Sequence, residues 1–87
     1  MATRESVDTL LQQCEDAIRF AGDQLQDGRL QEHYNDDGYS NALEALENAY
    51  NDLSQLAHSA NSQQREQLHR MRLQLQQLQN KMIINPH

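Results

Sequence analysis

The amino-acid sequence predicts an all-α fold, an antiparallel three-helix bundle, and three observations predict it. Apolar residues recur at steps of three and four in three separate stretches. No stretch alternates apolar and polar residues over the length of a strand, and Val, Ile and Thr are scarce. Turn residues and a shift of phase divide the chain into pieces of similar length. Steps of three and four keep side chains on one side of a helix, because a turn takes 3.6 residues. The 87 residues make a single domain, 1–87, since domains commonly run to roughly 100–150 residues. A fold this small hides only about 60–65% of its unfolded surface.

The first helix is expected over about residues 4–28. Val7, Leu11, Cys14, Ile18, Ala21 and Leu25 form its stripe, widened by Leu10 and Ala17. Thr3 or Ser6 can accept a bond from a free backbone N–H as its cap. Gly22 lies inside the stripe, but Leu25 keeps the period beyond it, so the helix continues to Gly28, a candidate left-handed C-cap. Asn35-Asp36-Asp37-Gly38 is the clearest turn signal, after which Ser40, or else Asp37, caps a second helix of about residues 40–59. Its stripe is Leu43, Leu46, Tyr50, Leu53 and Ala57, flanked by Ala42, Ala49 and Leu56.

No glycine or proline enforces the second break. The second stripe would next fall on Gln64, yet Leu68 starts a new phase, so a break with Asn61 or Ser62 as cap is preferred. The third helix, about residues 62–84, carries Leu68, Met71, Leu75, Leu78 and Met82 and is ended by Asn85-Pro86. Helices of roughly 20 residues, about 30 Å long, match for antiparallel packing. The alternative is a helical hairpin in which one long helix from about 41 to 83 folds on the first and dimerises.

Charge separates along the chain. Residues 1–58 hold 12 acidic and 3 basic residues, whereas residues 59–87 set Glu66 against Arg65, Arg70, Arg72 and Lys81. The formal net charge of −6 disfavours a general nucleic-acid binder, whose affinity comes from cations on phosphates. A single cysteine cannot form an internal disulfide, no signal peptide is visible, and Met82-Ile83-Ile84 is the longest apolar run. A membrane span needs roughly 20 such residues. No transmembrane segment and a cytoplasmic setting are the expectation.

The run MATRESVDTLLQQCEDAIRFA, the central QEHYND and the C-terminal SANSQQREQLHRMRLQLQQLQNKM together resemble the YtzC-like family. This is a group of small uncharacterised proteins from Gram-positive, spore-forming bacteria. The resemblance spans nearly the whole chain, and its Gln-rich third segment is the most distinctive part. It implies a short cytoplasmic helical protein of unknown function, and it brings no catalytic or binding motif to assign to any residue here.

Candidate sites are few. Set on a calcium-loop pattern, Gly38 places His33 first, Asn35 third, Asp37 fifth and Glu44 twelfth. The first ligand should be Asp, and His suits a hard cation poorly, so a helix–turn–helix link is the better reading. The histidines His33, His58, His69 and His87 show no zinc spacing; His58 and His69 are expected on solvent-facing sides. Cys14, on the central stripe beside Glu15 and Asp16, reads as a buried thiol rather than a nucleophile. Tyr50 is expected in the core with its hydroxyl at the rim; Tyr34 and Tyr39, flanking the acidic turn, either close one end of the bundle, the favoured reading, or form a small contact patch.

No metal or cofactor is expected, and no enzyme. The expected role is a non-catalytic protein–protein interaction module, binding an unknown protein or itself. Leu73, off the main stripe, and Met82, Ile83 and Ile84 at the C-terminus form the candidate contact surface, with Arg65, Arg70 and Arg72 as residues that could dock an acidic partner. The alternative role is binding of nucleic acid or an anionic membrane surface through the basic third helix; the acidic residues before it make nucleic acid the lesser reading.

Overall fold

A computed structural model describes residues 2–30 and 36–84. It holds three helices, α1 (Arg4–Leu30), α2 (Asp36–Ala57) and α3 (Ser62–Ile84), and every pair of them packs together. There is no strand among the described residues. Direction follows from two cross-chain bonds. The Ala2 N–H donates to the Ser59 carbonyl at 2.9 Å, which sets the start of α1 beside the α2–α3 link. The Tyr39 hydroxyl donates to the Met82 carbonyl at 2.5 Å, which sets the start of α2 beside the end of α3. The bundle runs up, down and up.

Each helix start has a local cause. Thr3, rather than Ser6, caps α1: its Oγ1 accepts the Ser6 N–H at 2.9 Å. Asn61, rather than Ser62, caps α3 through a reciprocal pair. Asn61 Oδ1 accepts the Gln64 N–H at 2.8 Å, and Gln64 Oε1 accepts the Asn61 N–H at 3.0 Å. Such a box satisfies two donors that a helix start leaves open. It lies between α2 and α3 and rules out the long-helix hairpin.

Two boundaries differ from the sequence reading. Gly28 does not stop α1, which runs on to Leu30; a glycine costs a helix about 1 kcal/mol without ending it. Nor does Ser40 or Asp37 cap α2, which already begins at Asp36 and so absorbs Asp36-Asp37-Gly38 into its first turn. The physical reason is Tyr39. Only a helix that starts before it places Tyr39 in line with Ala42, Leu46, Ala49 and Leu53, and in that line Tyr39 is 6% exposed. A helix over Gly38 to Glu44 also removes the calcium-loop reading. At its far end α2 stops at Ala57, and His58 and Ser59 form a turn. Tyr34, His33 and His87 lie outside the described residues.

The core is one cluster. Val7, Cys14, Ala21 and Leu25 come from α1, Tyr39, Ala42, Leu46, Ala49 and Leu53 from α2, and Leu68, Met71, Leu75 and Met82 from α3, with Ala60 sealing the link. In α2 the deepest line passes through the flanking Ala42 and Ala49, while Leu43 and Tyr50 are half-buried. Alanines there let helix backbones approach closely. No polar or charged residue is buried among the described residues. Burying a large apolar side chain is worth about 1.5–3 kcal/mol, and the largest side chains wholly enclosed among the described residues are Leu46, Leu53, Leu68, Leu75, Met82, Val7 and Cys14, so stability rests on a few contacts.

Candidate functional site

The third helix carries two seams. The inner one, Leu68, Met71, Leu75, Leu78 and Met82, faces the core. Residues 66, 70, 73, 77, 80 and 84 step by four and three along the opposite side, where Glu66, Arg70, Leu73, Gln77, Asn80 and Ile84 are all exposed. Leu73 keeps 45% of its surface in solvent and Ile84 73%, with Ile83 beside the ridge at 59%. Three of the four apolar residues expected at a contact surface, Leu73, Ile83 and Ile84, are therefore uncovered within one chain.

Met82 is not among them. It is fully enclosed and its carbonyl takes the Tyr39 hydroxyl, so its place in the contact surface is corrected to a place in the core. The cause is chemical as well as steric. In the last turn of a helix a carbonyl looks four residues ahead for a donor, and the residue four beyond Met82 is Pro86, which has no N–H. Tyr39 supplies the missing donor.

The arginines of the basic segment are engaged inside the chain. Arg65 Nε donates to the Ala57 carbonyl at 3.2 Å and so caps the C-terminus of α2. Arg70 pairs with Glu66 at 2.7 Å on the exposed ridge. The Arg72 guanidinium lies over the Tyr50 ring, 5.0 Å from its centroid, and donates to the Tyr50 hydroxyl at 3.0 Å. That stack joins α2 to α3 at the rim, the place expected of the Tyr50 hydroxyl.

The depressions between helices are shallow. A groove of about 520 Å³ between the starts of α1 and α3 is lined by Arg4, Val7, Asp8, Asn61, Gln63, Gln64 and Gln67. Another of about 370 Å³ lies between Ile18 and Leu78, with Lys81 at its edge. Neither joins a nucleophile to a base, and no group of three potential metal ligands occurs among the described residues. His58 and His69 are exposed. The Cys14 thiol is fully buried; burial, then the negative charges of Asp52 and Glu15, push it up from the ordinary 9.0 to about 11. A thiol held neutral in this way is a core side chain, not an attacking group. Two features escaped the sequence reading. Phe20 is 40% exposed on the outer side of α1, and the outer seam of α3 is regular over its whole length; both follow from counting 100° per residue.

What these features define is a small all-helical bundle whose core is filled and whose third helix shows an apolar-and-amide ridge to the outside. The chain belongs to the family described as protein of unknown function (DUF2524), whose model matches residues 1–84. It is also similar to the uncharacterized protein YtzC of Bacillus subtilis (strain 168), with 60% identity over 84 residues that cover 97% of this chain and 93% of that protein. No solved structure matches. No helix among the described residues is long and apolar enough to cross a membrane.

Proposed function

We propose that this chain is a non-catalytic, cytoplasmic protein–protein interaction module that works through the outer ridge of α3. The observation that carries the reading is the exposure of Leu73, Ile83 and Ile84 after every other large apolar residue of α3 has found cover in the core. Single exposed leucines are ordinary. An exposed leucine and isoleucine in line on a helix already anchored by its other face are less so, because interface cores favour apolar residues and few charges. From Leu73 to Asn80 the chain has no charged residue at all, in a protein whose other outward faces are strongly acidic. The cytoplasmic setting draws on the lone cysteine, which is buried as a thiol. Binding of nucleic acid or anionic membrane through α3 has less behind it, since Arg65, Arg70 and Arg72 already have partners within the chain.

A photo-crosslinking residue placed at Leu73 in living cells tests this, with the same residue at exposed Asn48 of α2 as the control. Adducts with protein at position 73 and none at 48 are expected. No adduct at 73 overturns the proposal.

A further inference from the structure

We infer that the partner on this ridge is a second copy of the same chain, its α3 lying antiparallel with Leu73 of each copy set against Ile84 of the other. This rests on the reading of α3 as the working surface and names its occupant. The ridge positions 66, 70, 73, 77, 80 and 84 have the four-and-three spacing of a coiled-coil seam, and all six residues are exposed. Leu73, Gln77, Asn80 and Ile84 read apolar, amide, amide, apolar, and they read the same in reverse. A two-fold axis midway between residues 78 and 79 therefore lays Leu73 on Ile84 and Gln77 on Asn80, four layers that each match in kind. The paired amides can satisfy one another's donors and acceptors, as a polar layer in an apolar seam must.

Other registers match less well. Moving the axis to residue 75 sets Leu73 on Gln77, Arg70 on Asn80 and Glu66 on Ile84. A parallel pairing also stacks like on like, but it brings Arg70 onto Arg70 and Glu66 onto Glu66 and aligns the two helix dipoles. In the antiparallel register Glu66 and Arg70 lie beyond the overlap, and Lys81, the one charged residue within residues 73–84, is level with Gln76 of the second copy, so no like charges oppose inside the overlap. Isologous pairing of this kind closes on itself and does not propagate. The overlap spans residues 73–84, about 18 Å at 1.5 Å per residue. A contact of that length is at the small end for protein pairs, so the dimer is weak and reversible.

Sedimentation equilibrium of the purified full chain across the micromolar to millimolar range should show a monomer–dimer equilibrium. Leu73→Asp and, separately, Ile84→Asp should abolish it with the thermal melt unchanged. In a Cys14→Ala background, oxidation of a mixture of Leu73→Cys and Ile84→Cys chains should give the mixed disulfide. Neither variant alone should crosslink, because like positions lie about 16 Å apart along the antiparallel pair. A monomer at every concentration overturns the inference, yet adducts with another protein at position 73 in cells would still uphold the module reading. A homodimer of Leu73→Cys overturns the antiparallel register in favour of the parallel one.

Discussion

Replacing Tyr39 by Phe removes one oxygen and tests how the two ends of the bundle are joined. The ring stays, so no cavity opens and the apolar burial of Tyr39 is kept. What disappears is the bond from the hydroxyl to the Met82 carbonyl, 43 residues away. A neutral hydrogen bond contributes about 1 kcal/mol net, and stranding a buried acceptor raises the loss towards 1–3 kcal/mol. The usual helical donor for that carbonyl, the N–H four residues ahead, does not exist, because that residue is Pro86. A loss of about 1–2 kcal/mol is therefore expected, which for a chain of this length lowers the midpoint of melting by roughly 5–15 °C. Urea unfolding followed by far-ultraviolet circular dichroism reads it directly: the midpoint falls while the slope stays the same, since the surface exposed on unfolding is unchanged. A midpoint equal to that of the parent protein would refute the reasoning, since Met82 would then not depend on Tyr39 for its donor.

Other substitutions probe separate parts of the fold. Gly22→Ala should stabilise by about 0.5–1 kcal/mol, because an added methyl meets nothing within 4 Å; urea midpoints would show it. Asn61→Ala breaks the reciprocal cap of α3 and should cost about 1 kcal/mol in the same assay. Leu75→Ala, at a wholly enclosed position, should cost about 2–5 kcal/mol, a large share of the total for so small a core, and is read from the loss of helical signal. The Cys14 thiol should resist alkylation at pH 8 until urea is added. Its folded value near 11 stands above the ordinary 9.0, so its share of stability is whole below pH 9 and is lost as pH rises towards 11, where the unfolded chain ionises first. Comparing the alkaline unfolding of the parent with Cys14→Ala isolates that contribution.

Much of this architecture was legible because periodicity is a local property. Val7, Cys14, Leu25, Leu46, Leu53, Leu68 and Leu75 announce their burial by spacing alone, and the shift of phase between Ala57 and Leu68 marks the break that Asn61 and Gln64 then cap. Leu73, Ile83 and Ile84 were legible as uncovered for the same reason. The start of α2 was not, because Asn-Asp-Asp-Gly suits a turn and the first turn of a helix alike. Tyr39, through a contact with the other end of the chain, decides between them. Met82 was misplaced on similar grounds: its spacing is that of a core residue, its neighbours Ile83 and Ile84 point elsewhere, and only the distant Tyr39 shows which side it takes. The arginines read as a basic patch because nothing local reveals that Arg65 reaches Ala57 and Arg72 reaches Tyr50. Long-range pairing is the part that spacing does not encode.

Three separate helices close one core while the outer side of α3 stays uncovered within the chain. Isotope-filtered nuclear Overhauser spectra of the assigned protein test this most directly. They should show helical shifts over 4–30, 36–57 and 62–84, non-helical shifts at Ser59 to Asn61, and no contact from the Leu73 or Ile84 methyls to α1 or α2 of the same chain. An unbroken helix through Asn61, or intrachain contacts that cover Leu73, would contradict it.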